Sequence, residues 1–397
     1  MDIEAAARVR APSRIVIATI MRERGDTGMQ THVSAFCQAC ERRGVTVQVV
    51  TPFSFARTLS TPLFALRPLL IDRLSGAASV WWYRYWHYLF LLWALRRALR
   101  DGRPCSIYAQ CPLSAHAALR ARAGEHQRVV MVAHFNLSQA WEWAEMGKLS
   151  PHGVVYRSIR HLERVVLPQL DGIVYVSRFV KEQVVRLNPG VESVAAVIAP
   201  NFLPDCPVNR SVEFVGDVVT VGTLEPRKNH AYLLHVIAEA HESGFPYRLT
   251  VIGDGPLRGM LERLAAELGI ADLVSFVGRK LDARSILAGF RIYAHAATME
   301  ASGLALIEAM ATGLPVLTSA VGGIPELIDD GVEGVFWHLD DPADGSAKLI
   351  ALLSDDHRRA VMSRAARRRF ESQLAEDVVA EQLLAFILHR PPSSAYG

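Results

Sequence analysis

Short runs rich in β-branched residues alternate with helical patterns along the whole of this 397-residue chain. The strand-like runs are residues 14–20, 45–50, 129–133, 172–176, 217–221, 248–252, 273–277, 291–294 and 315–318. Alternation of this kind favours parallel sheets that are covered by helices on both faces. We therefore expect an α/β protein that is built from doubly wound, Rossmann-like sheets.

A proline-rich segment divides the alternation into two parts. Residues 200–207 hold three prolines in eight positions, and strand-like runs start again after them. The sequence thus predicts an N-terminal domain at 1–205, a second domain at 206–375, and a C-terminal helix with a frayed tail at 376–397 that packs back on the first domain. Two such domains would face each other across a cleft, and ligands bind at the carboxyl ends of strands in these folds.

The charge is unevenly distributed between the two halves of the chain. Residues 1–200 carry 25 basic and 14 acidic side chains, whereas residues 201–397 carry 18 and 26. The overall composition, half hydrophobic and 21% charged, excludes a disordered, collagen-like or coiled-coil chain. Opposite charges in the two halves indicate different partners, and the basic half suits nucleic acid, a membrane surface or an anionic substrate.

The cysteines and the apolar runs indicate a protein of the reducing cytoplasm. Cys37 and Cys40 form a C-x-x-C pair without a second pair to complete a zinc site, so we expect no metal. The apolar run 15–21 is short for the core of a signal peptide. No stretch reaches the ~18 apolar residues of a spanning helix.

Two glutamates, Glu300 and Glu308, stand eight positions apart around Gly303. A helix that begins near Gly303 would place Glu300 in the preceding loop and Glu308 in the second turn. Free N–H groups at a helix N-terminus attract phosphate, and carboxylates accept hydrogen bonds from sugar or ribose hydroxyls. On spacing alone, a capping glutamate and a solvated helix face are equally compatible with this pattern.

Two adjacent cations, Arg227 and Lys228, follow the strand-like run 217–221 and precede a helix. Guanidinium can bind two oxygens at once and ammonium acts as a point charge, so together they can neutralise a diphosphate leaving group. A basic turn at the start of a surface helix is the disfavoured alternative, because cations there oppose the helix dipole.

Three further positions at strand ends are weaker candidates. Gly28 closes a glycine-containing loop after the first strand, and such a loop can approach a phosphate closely. His134 ends the run 129–133, although a lone histidine is more often structural. Arg279 follows the run 273–277 and could contact a base or phosphate, with a solvated arginine as the alternative. A loop with glycines at 253 and 255 fails the dinucleotide fingerprint, because Arg258 takes the third glycine position.

Residues 298–316 resemble the E-x7-E signature of the family 4 retaining glycosyltransferases, which have the GT-B fold. The similarity continues through residues 315–334, which contain a diglycine turn. It is strong from about 217 to 335 and thin from about 52 to 125, although it touches most of the chain. In that family the second glutamate, here Glu308, holds the donor ribose, and the first, here Glu300, contacts the transferred sugar. The amides around Gly303 and Leu304 meet the phosphates.

The same resemblance extends to five other candidates. Lys228 stands at the lysine position of the family's glycine-rich motif, and Thr223 stands where many members have arginine, so Arg227 would supply that charge. The loop at Gly28 is similar to the one that contacts donor phosphate and acceptor. His134 is similar to a histidine beside the donor sugar. One departure is visible at 300–303, where the sequence EASG replaces the usual EGFG and removes an aromatic side chain.

The resemblance implies a retaining, metal-independent hexosyltransferase of bacterial glycan assembly. Its donor would be a nucleotide diphosphate sugar, either GDP-mannose or a UDP-sugar, bound as a substrate with no further cofactor. Its acceptor would be a glycan or a lipid-linked sugar of polysaccharide biosynthesis. Catalysis would consist mainly of positioning and electrostatic stabilisation.

Two other classes of function stay open at this point. A nucleotide-sugar epimerase or a phosphorylase can share the fold, since fold does not fix reaction, but we find no lysine in a setting for pyridoxal phosphate. A non-catalytic membrane or nucleic-acid binder would use the basic half and leave the motifs of the second half without a role. We expect no nucleic-acid partner.

Residues 81–100 combine four tryptophans with four arginines. Aromatic and cationic side chains together suit a membrane interface or an anionic lipid-linked acceptor. The equally weighted alternative is a buried helix with arginines at its polar end. The first interpretation predicts peripheral contact with an anionic membrane, at the inner face of the plasma membrane.

Overall fold

The structure, a computed structural model, describes residues 14–23, 25, 28–54, 63–64, 67, 71, 75–205, 215–280 and 283–388. These residues form two compact units. The first unit contains the described residues up to Val176, Val180–Ala199, and the described residues from Ala380 onward. The second unit contains Ser177–Phe179 and the described residues of Pro200–Val379.

A six-stranded parallel sheet forms the centre of the first unit. Its strands are β1 (Arg14–Ala18), β2 (Thr46–Val50), β3 (Cys105–Ala109), β4 (Gln127–Ala133), β5 (Gly172–Tyr175) and β6 (Ala196–Ile198). They lie in the order β2-β1-β3-β4-β5-β6, and each adjacent pair is parallel. Every residue of β3 and β5 is buried, as expected for a parallel sheet that is covered on both faces.

Several α-helices with described bounds accompany these strands. They are α1 (Gly28–Arg42), α2 (Gly76–Ala98), α3 (Pro112–Ala121), α4 (Gln139–Glu145), α5 (Val154–Val166) and α6 (Arg178–Leu187). Short 3-10 segments occur at Pro52–Ser54, Leu167–Gln169 and Val191–Ser193. The side chain of Ser75 begins α2 by accepting a hydrogen bond from the backbone N–H of Ala78.

Helix α2 contains most of the aromatic and basic segment that the sequence singles out. Its buried side chains include Phe90, Leu91 and Leu95. Its exposed aromatic side chains are Trp81, Tyr85 and Trp93, at 53, 47 and 38%. Arg84 is buried and donates to Gln139. The helix is therefore partly core and partly surface, so neither alternative describes it alone.

A second six-stranded parallel sheet forms the centre of the second unit. Its strands are β7 (Gly216–Val221), β8 (Leu249–Ile252), β9 (Val274–Gly278), β10 (Phe290–His295), β11 (Val316–Ser319) and β12 (Gly334–Trp337). They lie in the order β12-β11-β10-β7-β8-β9. The direction in which successive strands are added reverses between β7 and β10, so the topological switch point of this sheet lies between these two strands.

Further α-helices lie in the described residues of the second half of the chain. They are α7 (His230–Glu242), α8 (Arg258–Glu267), α9 (Ala283–Leu287), α10 (Leu304–Thr312), α11 (Ile324–Leu327), α12 (Pro342–Ser354), α13 (Asp356–Arg369) and α14 (Glu376–Ile387). Further short segments are the 3-10 turns Pro226–Lys228 and Ala271–Leu273 and the π-helical turn Phe370–Leu374. The part of α14 from Ala380 onward belongs to the first unit.

The two faces of the second sheet pack into separate hydrophobic clusters. Val218 and Ile292 belong to the cluster that includes residues of α7, α8 and α12. Their neighbours Val219 and Tyr293 belong to the cluster that includes residues of α10 and α13. Because successive side chains of a strand point to opposite faces, this division shows that helices cover the sheet on both sides.

The predicted α/β class with two doubly wound parallel sheets is confirmed. Three strands, β3, β6 and β12, were not among the sequence predictions. In β3, Ser106 is fully buried, and its hydroxyl donates to the carbonyl of Ile387 at 2.8 Å. None of the helices in the described ranges combines the length and hydrophobicity of a membrane-spanning segment.

Candidate active site

The strongest sequence motifs lie at the switch point of the second sheet. The loop that carries Arg227 and Lys228 follows β7, and the loop that carries Glu300 follows β10. Since β7 and β10 are adjacent and parallel, their carboxyl ends meet at one edge of the sheet. In open α/β sheets this is the place where ligands bind.

Backbone hydrogen bonds join these two loops directly. The backbone N–H of Thr298 donates to the carbonyl oxygen of Arg227 at 2.9 Å. Arg227 and Lys228 lie in a 3-10 turn that ends at Asn229, which is left-handed with φ 50° and is the one residue other than glycine with positive φ in the described ranges. Asparagine tolerates this conformation better than most residues. The two cations are therefore held by a defined turn.

The Glu300 carboxylate is the centre of the cluster, and all its polar contacts use one oxygen. Its Oε2 atom lies 2.5 Å from Lys228 Nζ, 3.4 Å from Arg227 NH1 and 3.4 Å from His295 Nε2. No hydrogen bond or ion pair of a described residue involves Oε1. Arg227 also donates to the Met299 carbonyl and the Glu225 carboxylate, each at 2.9 Å. One carboxylate oxygen is thus held by protein groups, and the other is left to accept a hydrogen bond.

The ionisation of the cluster follows from these contacts. Burial by itself would raise the pKa of Glu300, but Lys228, the neighbouring His295 ring and then Arg227 outweigh it and hold that pKa well below its usual range. Burial lowers the pKa of His295, despite the opposing effect of Glu300. Near pH 7 we therefore describe Glu300 as an anion and His295 as neutral.

Close backbone packing fixes the loop that carries Glu300. A Cβ atom on Gly322 would lie 2.0 Å from the carbonyl oxygen of Glu300, and one on Gly323 would lie 2.2 Å from that of Ala301. Gly322 also has φ 58°, and the backbone N–H of Gly323 donates to Glu300 O at 2.9 Å. The diglycine turn therefore serves close approach, and it supports Glu300 from behind.

The two glycines at 253 and 255 likewise allow their backbone to approach the loop after β7 closely. A Cβ atom on Gly253, whose φ is 149°, would lie 1.8 Å from the carbonyl oxygen of Gly222. One on Gly255 would lie 2.5 Å from that of Leu224. These glycines support the loop that carries the two cations.

Helix α10 begins directly after Glu300, as the sequence predicts. Gly303 is its N-cap in the left-handed conformation, and Leu304 is its first residue. The N–H groups of Gly303, Leu304 and Ala305 have no acceptor among the described residues, so they remain available to an anion. Glu308 is half-buried in the second turn. After burial, the charge of Glu308 and then that of Glu300 raise the pKa of Tyr293, which places both carboxylates near that ring.

Of the other two candidates of the second unit, Thr223 lies in the loop that carries the two cations and Arg279 lies apart from it. Thr223 is exposed in the loop after β7. Arg279 is exposed after β9, two strands away from β7, and no described bond connects it with Glu300, Arg227 or Lys228. The structure thus brings together Glu300, Arg227 and Lys228, and it does not bring Arg279 to them.

The two candidates of the first unit are connected through helix α1. Gly28 is the exposed first residue of α1, and His134 follows β4. The ring of His134 meets the edge of His32 of α1 at a centroid distance of 4.6 Å. Burial and then His32 hold the pKa of His134 well below its usual range. His134 is therefore neutral near pH 7, and its Nε2 atom has no hydrogen-bond partner among the described residues.

Sequence reasoning missed several polar residues around these candidates. Three of them, His295, Tyr293 and His230, lie behind Glu300 and Lys228. Burial, and then the electrostatic effects of His295 and Lys228, lower the pKa of His230 to about 3. His295 carried the same signal as His134, a histidine at the carboxyl end of a strand. In the described part of the chain, no group of three or more His, Cys, Asp or Glu side chains is placed to hold a metal ion.

Two family models match consecutive parts of this chain. Residues 27–203 match the model described as Glycosyltransferase Family 4, and residues 212–369 match Glycosyl transferases group 1. Together they span both units. The second model contains Arg227, Lys228, Glu300 and Glu308, and the first contains Gly28 and His134.

Curated relatives match over part of their length. The gpi3 subunit of phosphatidylinositol N-acetylglucosaminyltransferase from Schizosaccharomyces pombe is 31% identical over 174 residues, 42% of this chain and 38% of the relative. The GDP-mannose-dependent alpha-(1-6)-phosphatidylinositol monomannoside mannosyltransferase from Mycolicibacterium smegmatis is 28% identical over 220 residues, 50% of this chain and 56% of the relative. This chain therefore aligns with about two fifths to just over half of these proteins.

A solved structure shares the fold over nearly the whole chain. HepE from Anabaena, crystallised in complex with UDP and glucose, superposes with a TM-score of 0.67 at 15% sequence identity. The superposition covers 94% of this chain and 99% of HepE. At this identity the similarity concerns the fold.

Proposed function

We propose, for a chain that belongs to the family 4 and group 1 glycosyltransferases, that it transfers a sugar from a nucleotide diphosphate sugar to a hydroxyl group of a glycan or lipid-linked acceptor. The transfer retains the anomeric configuration and requires no metal ion. The nucleotide sugar is a substrate, and no further cofactor takes part.

The observation that carries this proposal is the asymmetric Glu300 carboxylate beside the start of α10. Its Oε1 atom is open to a sugar hydroxyl, whereas Oε2 is held by protein groups. Immediately after it, the free N–H groups at Gly303 and Leu304 suit the oxygens of a diphosphate. The carboxylate suits the sugar and the helix end suits the diphosphate. Since the two lie within four residues of each other, they suit a substrate in which sugar and diphosphate are joined.

The cations supply the stabilisation that the reaction needs. When the bond between sugar and diphosphate breaks, negative charge grows on the leaving oxygen, and Arg227 and Lys228 are placed to neutralise it. In the present arrangement these two cations face two carboxylates, Glu300 and Glu225. A diphosphate would compete with the carboxylates for them. The leaving group would then take the proton of the incoming hydroxyl on the same face of the sugar, which yields retention.

We infer a lipid-linked acceptor from the relatives and from α2. Both relatives described above carry phosphatidylinositol in their names. Helix α2 exposes Trp81, Tyr85 and Trp93, and its last turn carries Arg96 and Arg97. Indole and phenol rings with neighbouring cations suit the headgroup region of an anionic membrane. The proposed contact is peripheral, at the cytoplasmic face.

The donor sugar is the next quantity to determine, and GDP-mannose or a UDP-sugar is the proposed donor. The first experiment measures thermal stabilisation and calorimetric binding of GDP, UDP, ADP and their sugars. It compares the wild type with Glu308→Ala and with Glu239→Ala, whose side chain is exposed on α7. One nucleotide should stabilise the wild type and Glu239→Ala, but not Glu308→Ala.

That panel also separates the proposal from its alternatives. If a folded wild type binds none of these compounds, the transferase proposal is rejected in favour of a non-catalytic binder. If the donor binds and is converted into a different nucleotide sugar without any acceptor, the protein is an epimerase. The anomeric configuration of the transfer product, read by NMR, tests retention, and the rate in the presence of a chelator tests metal independence. Co-sedimentation with vesicles of anionic lipid, compared between wild type and Trp81→Ser, tests the membrane contact.

A further inference from the structure

Strand β10 delivers two buried polar side chains to the rear of the Glu300 carboxylate. Tyr293 and His295 are two positions apart and thus point to the same face of the sheet. They are 0% and 2% exposed. The hydroxyl of Tyr293 lies 3.4 Å from His295 Nδ1, and His295 Nε2 lies 3.4 Å from Glu300 Oε2. The three side chains form a continuous row from the core of the unit to the candidate site.

The charge of Glu300 determines the position of the proton on the His295 ring. An ionised Glu300 carboxylate can only accept hydrogen bonds, so the histidine nitrogen beside it carries the proton. Nδ1 of the neutral ring is then an acceptor, and the Tyr293 hydroxyl donates to it. That hydroxyl also lies 3.3 Å from the carbonyl oxygen of Val221, to which it can donate instead. Glu300 thus selects the ring tautomer that presents an N–H group to it, and Tyr293 orients the ring through Nδ1.

The contact between His295 and Glu300 is incomplete while Lys228 is present. At 3.4 Å it is longer than an ordinary hydrogen bond, and His295 Nε2 has no hydrogen-bond partner among the described residues. Lys228 lies closer to the same oxygen, at 2.5 Å. A buried N–H group without an acceptor costs free energy. When Lys228 turns away from Oε2, that oxygen becomes available to His295, which then forms a full hydrogen bond.

A bound diphosphate would attract Lys228 and Arg227 away from Glu300 Oε2. Both are cations on long side chains, and a diphosphate attracts them more strongly than one shared carboxylate oxygen. The neutral imidazole of His295 has no such preference, and it is fixed to a central strand. We propose that His295, oriented by Tyr293, is the positioning residue that holds Glu300 Oε2, and so directs Oε1 at the sugar, while Lys228 and Arg227 move to the diphosphate. This inference rests on the proposed transferase function.

The decisive comparison uses two substitutions of His295. His295→Leu removes the donor to Glu300, whereas His295→Gln retains an N–H group at nearly the position of Nε2. We expect His295→Leu to lower kcat by about 10- to 100-fold, the range seen when a group that orients a functional ligand is removed, while His295→Gln recovers most of the rate. The Kd of the nucleotide should change by less than about twofold in both variants, since its diphosphate contacts are elsewhere.

The Tyr293 hydroxyl is tested through its coupling to His295. Tyr293→Phe should lower kcat by about 3- to 10-fold in the wild type and should have no further effect in the His295→Leu background, because the two act in series. His357→Leu, an exposed histidine on α13, is the control for the substitution type. The probes are GDP-mannose and UDP-N-acetylglucosamine. The rate is the release of GDP or UDP, binding is measured by calorimetry, and the melting temperature checks that each variant is folded.

The possible results separate the inference from the proposed function. If the wild type binds and turns over neither donor, the proposed function is rejected, and this inference with it. If the wild type is active and a folded His295→Leu matches its kcat, the inference alone is overturned. The same holds if His295→Gln is as slow as His295→Leu, or if the loss appears in Kd and not in kcat.

Discussion

The Nζ atom of Lys228 lies 2.5 Å from Oε2 of Glu300, although 72 positions separate the two residues in the chain. Both side chains are largely buried, at 15 and 13% exposure. The contact exists because β7 and β10 are adjacent in the sheet, so the loops that follow them share one edge. A charge pair at this depth interacts more strongly than one at the surface, and several properties of the protein depend on it.

Removing the Lys228 charge should impair turnover more than removing that of Arg227. Lys228 is closer to Glu300, and Arg227 has additional anchors at Glu225 and Met299. We expect Lys228→Met to lower the rate of nucleotide release by about tenfold or more, as for loss of one group that stabilises transition-state charge. Lys348→Met, which removes a similar 2.6 Å pair with Asp344 on α12, is the control and should leave the rate unchanged. Equal losses for Lys228→Met and Lys348→Met would contradict the assignment.

Gly322 should be far less replaceable than Gly331. Both have positive φ, 58° and 79°, but a Cβ atom on Gly322 would lie 2.0 Å from Glu300 O, whereas one on Gly331 meets nothing within 4 Å. Gly331→Ala should cost only the left-handed strain, about 1 kcal/mol. Gly322→Ala adds a backbone clash, so we expect a loss of about 3 kcal/mol or more in the free energy of unfolding. Urea unfolding measures the loss of free energy in both variants. Comparable losses would show that the backbone of the turn shifts at little cost to relieve the clash.

Glu163 should be needed for the stability of the first unit. It is 1% exposed, forms an ion pair with Arg160, and accepts from the backbone N–H of Gln139 at 2.8 Å. Glu163→Ala leaves the buried Arg160 without its partner, which typically costs about 3–5 kcal/mol. The matched control is Glu262→Ala, whose 2.9 Å pair with Arg258 is largely exposed and should contribute less than about 1 kcal/mol. The free energy of unfolding is measured by chemical denaturation. A loss in Glu163→Ala that is no larger than the loss in Glu262→Ala would refute this prediction.

The stability of the protein should fall in weak acid, in part through His32. Burial lowers the pKa of His32 to about 4, from 6.5. Between these values the unfolded chain binds a proton that the folded protein does not, so stability is complete above pH 6.5 and decreases as the pH falls toward 4. At pH 5 this single group should cost about 2 kcal/mol.

The test compares unfolding free energies at pH 7 and pH 5 in the wild type and in His32→Gln. The decrease should be smaller in the variant by at least that amount, because the substitution also removes one of the two effects that lower the pKa of His134. His87 and His230, whose pKa values burial lowers to about 4 and about 3, act alike in both proteins. An exposed control, His357→Gln, should retain the wild-type decrease. An unchanged decrease in His32→Gln would exclude this role for His32.

Local pattern alone was enough to predict most of the fold and the chemistry-bearing loops. The β-branched runs at 217–221 and 291–294 became β7 and β10, with ends shifted by one residue. Gly303 became the N-cap of α10, with Glu300 in the loop before it and Glu308 in the second turn. These features depend on hydrophobic periodicity and on backbone conformation, which neighbouring residues in the chain determine.

Two of the missed strands, β3 and β6, lack such a local signal. The segment of β3, CSIYA, is fully buried, and its Ser106 hydroxyl donates to the carbonyl of Ile387, 281 positions later. Strand β6 has three residues and an exposed first position. Hydrogen bonds to distant partners make these segments strands, and a window of sequence does not contain those partners.

The order of residues along the chain specifies which side chains follow which strands, and therefore that Glu300, Arg227 and Lys228 lie in loops at carboxyl ends. Which of those loops meet depends on the order of the strands in the folded sheet. The order β10-β7-β8-β9 placed Lys228 against Glu300 and left Arg279 two strands away. It also placed His295 and Tyr293 behind the carboxylate. Strand order depends on how helices pack against the two faces of a sheet, a long-range balance of burial that no short segment encodes.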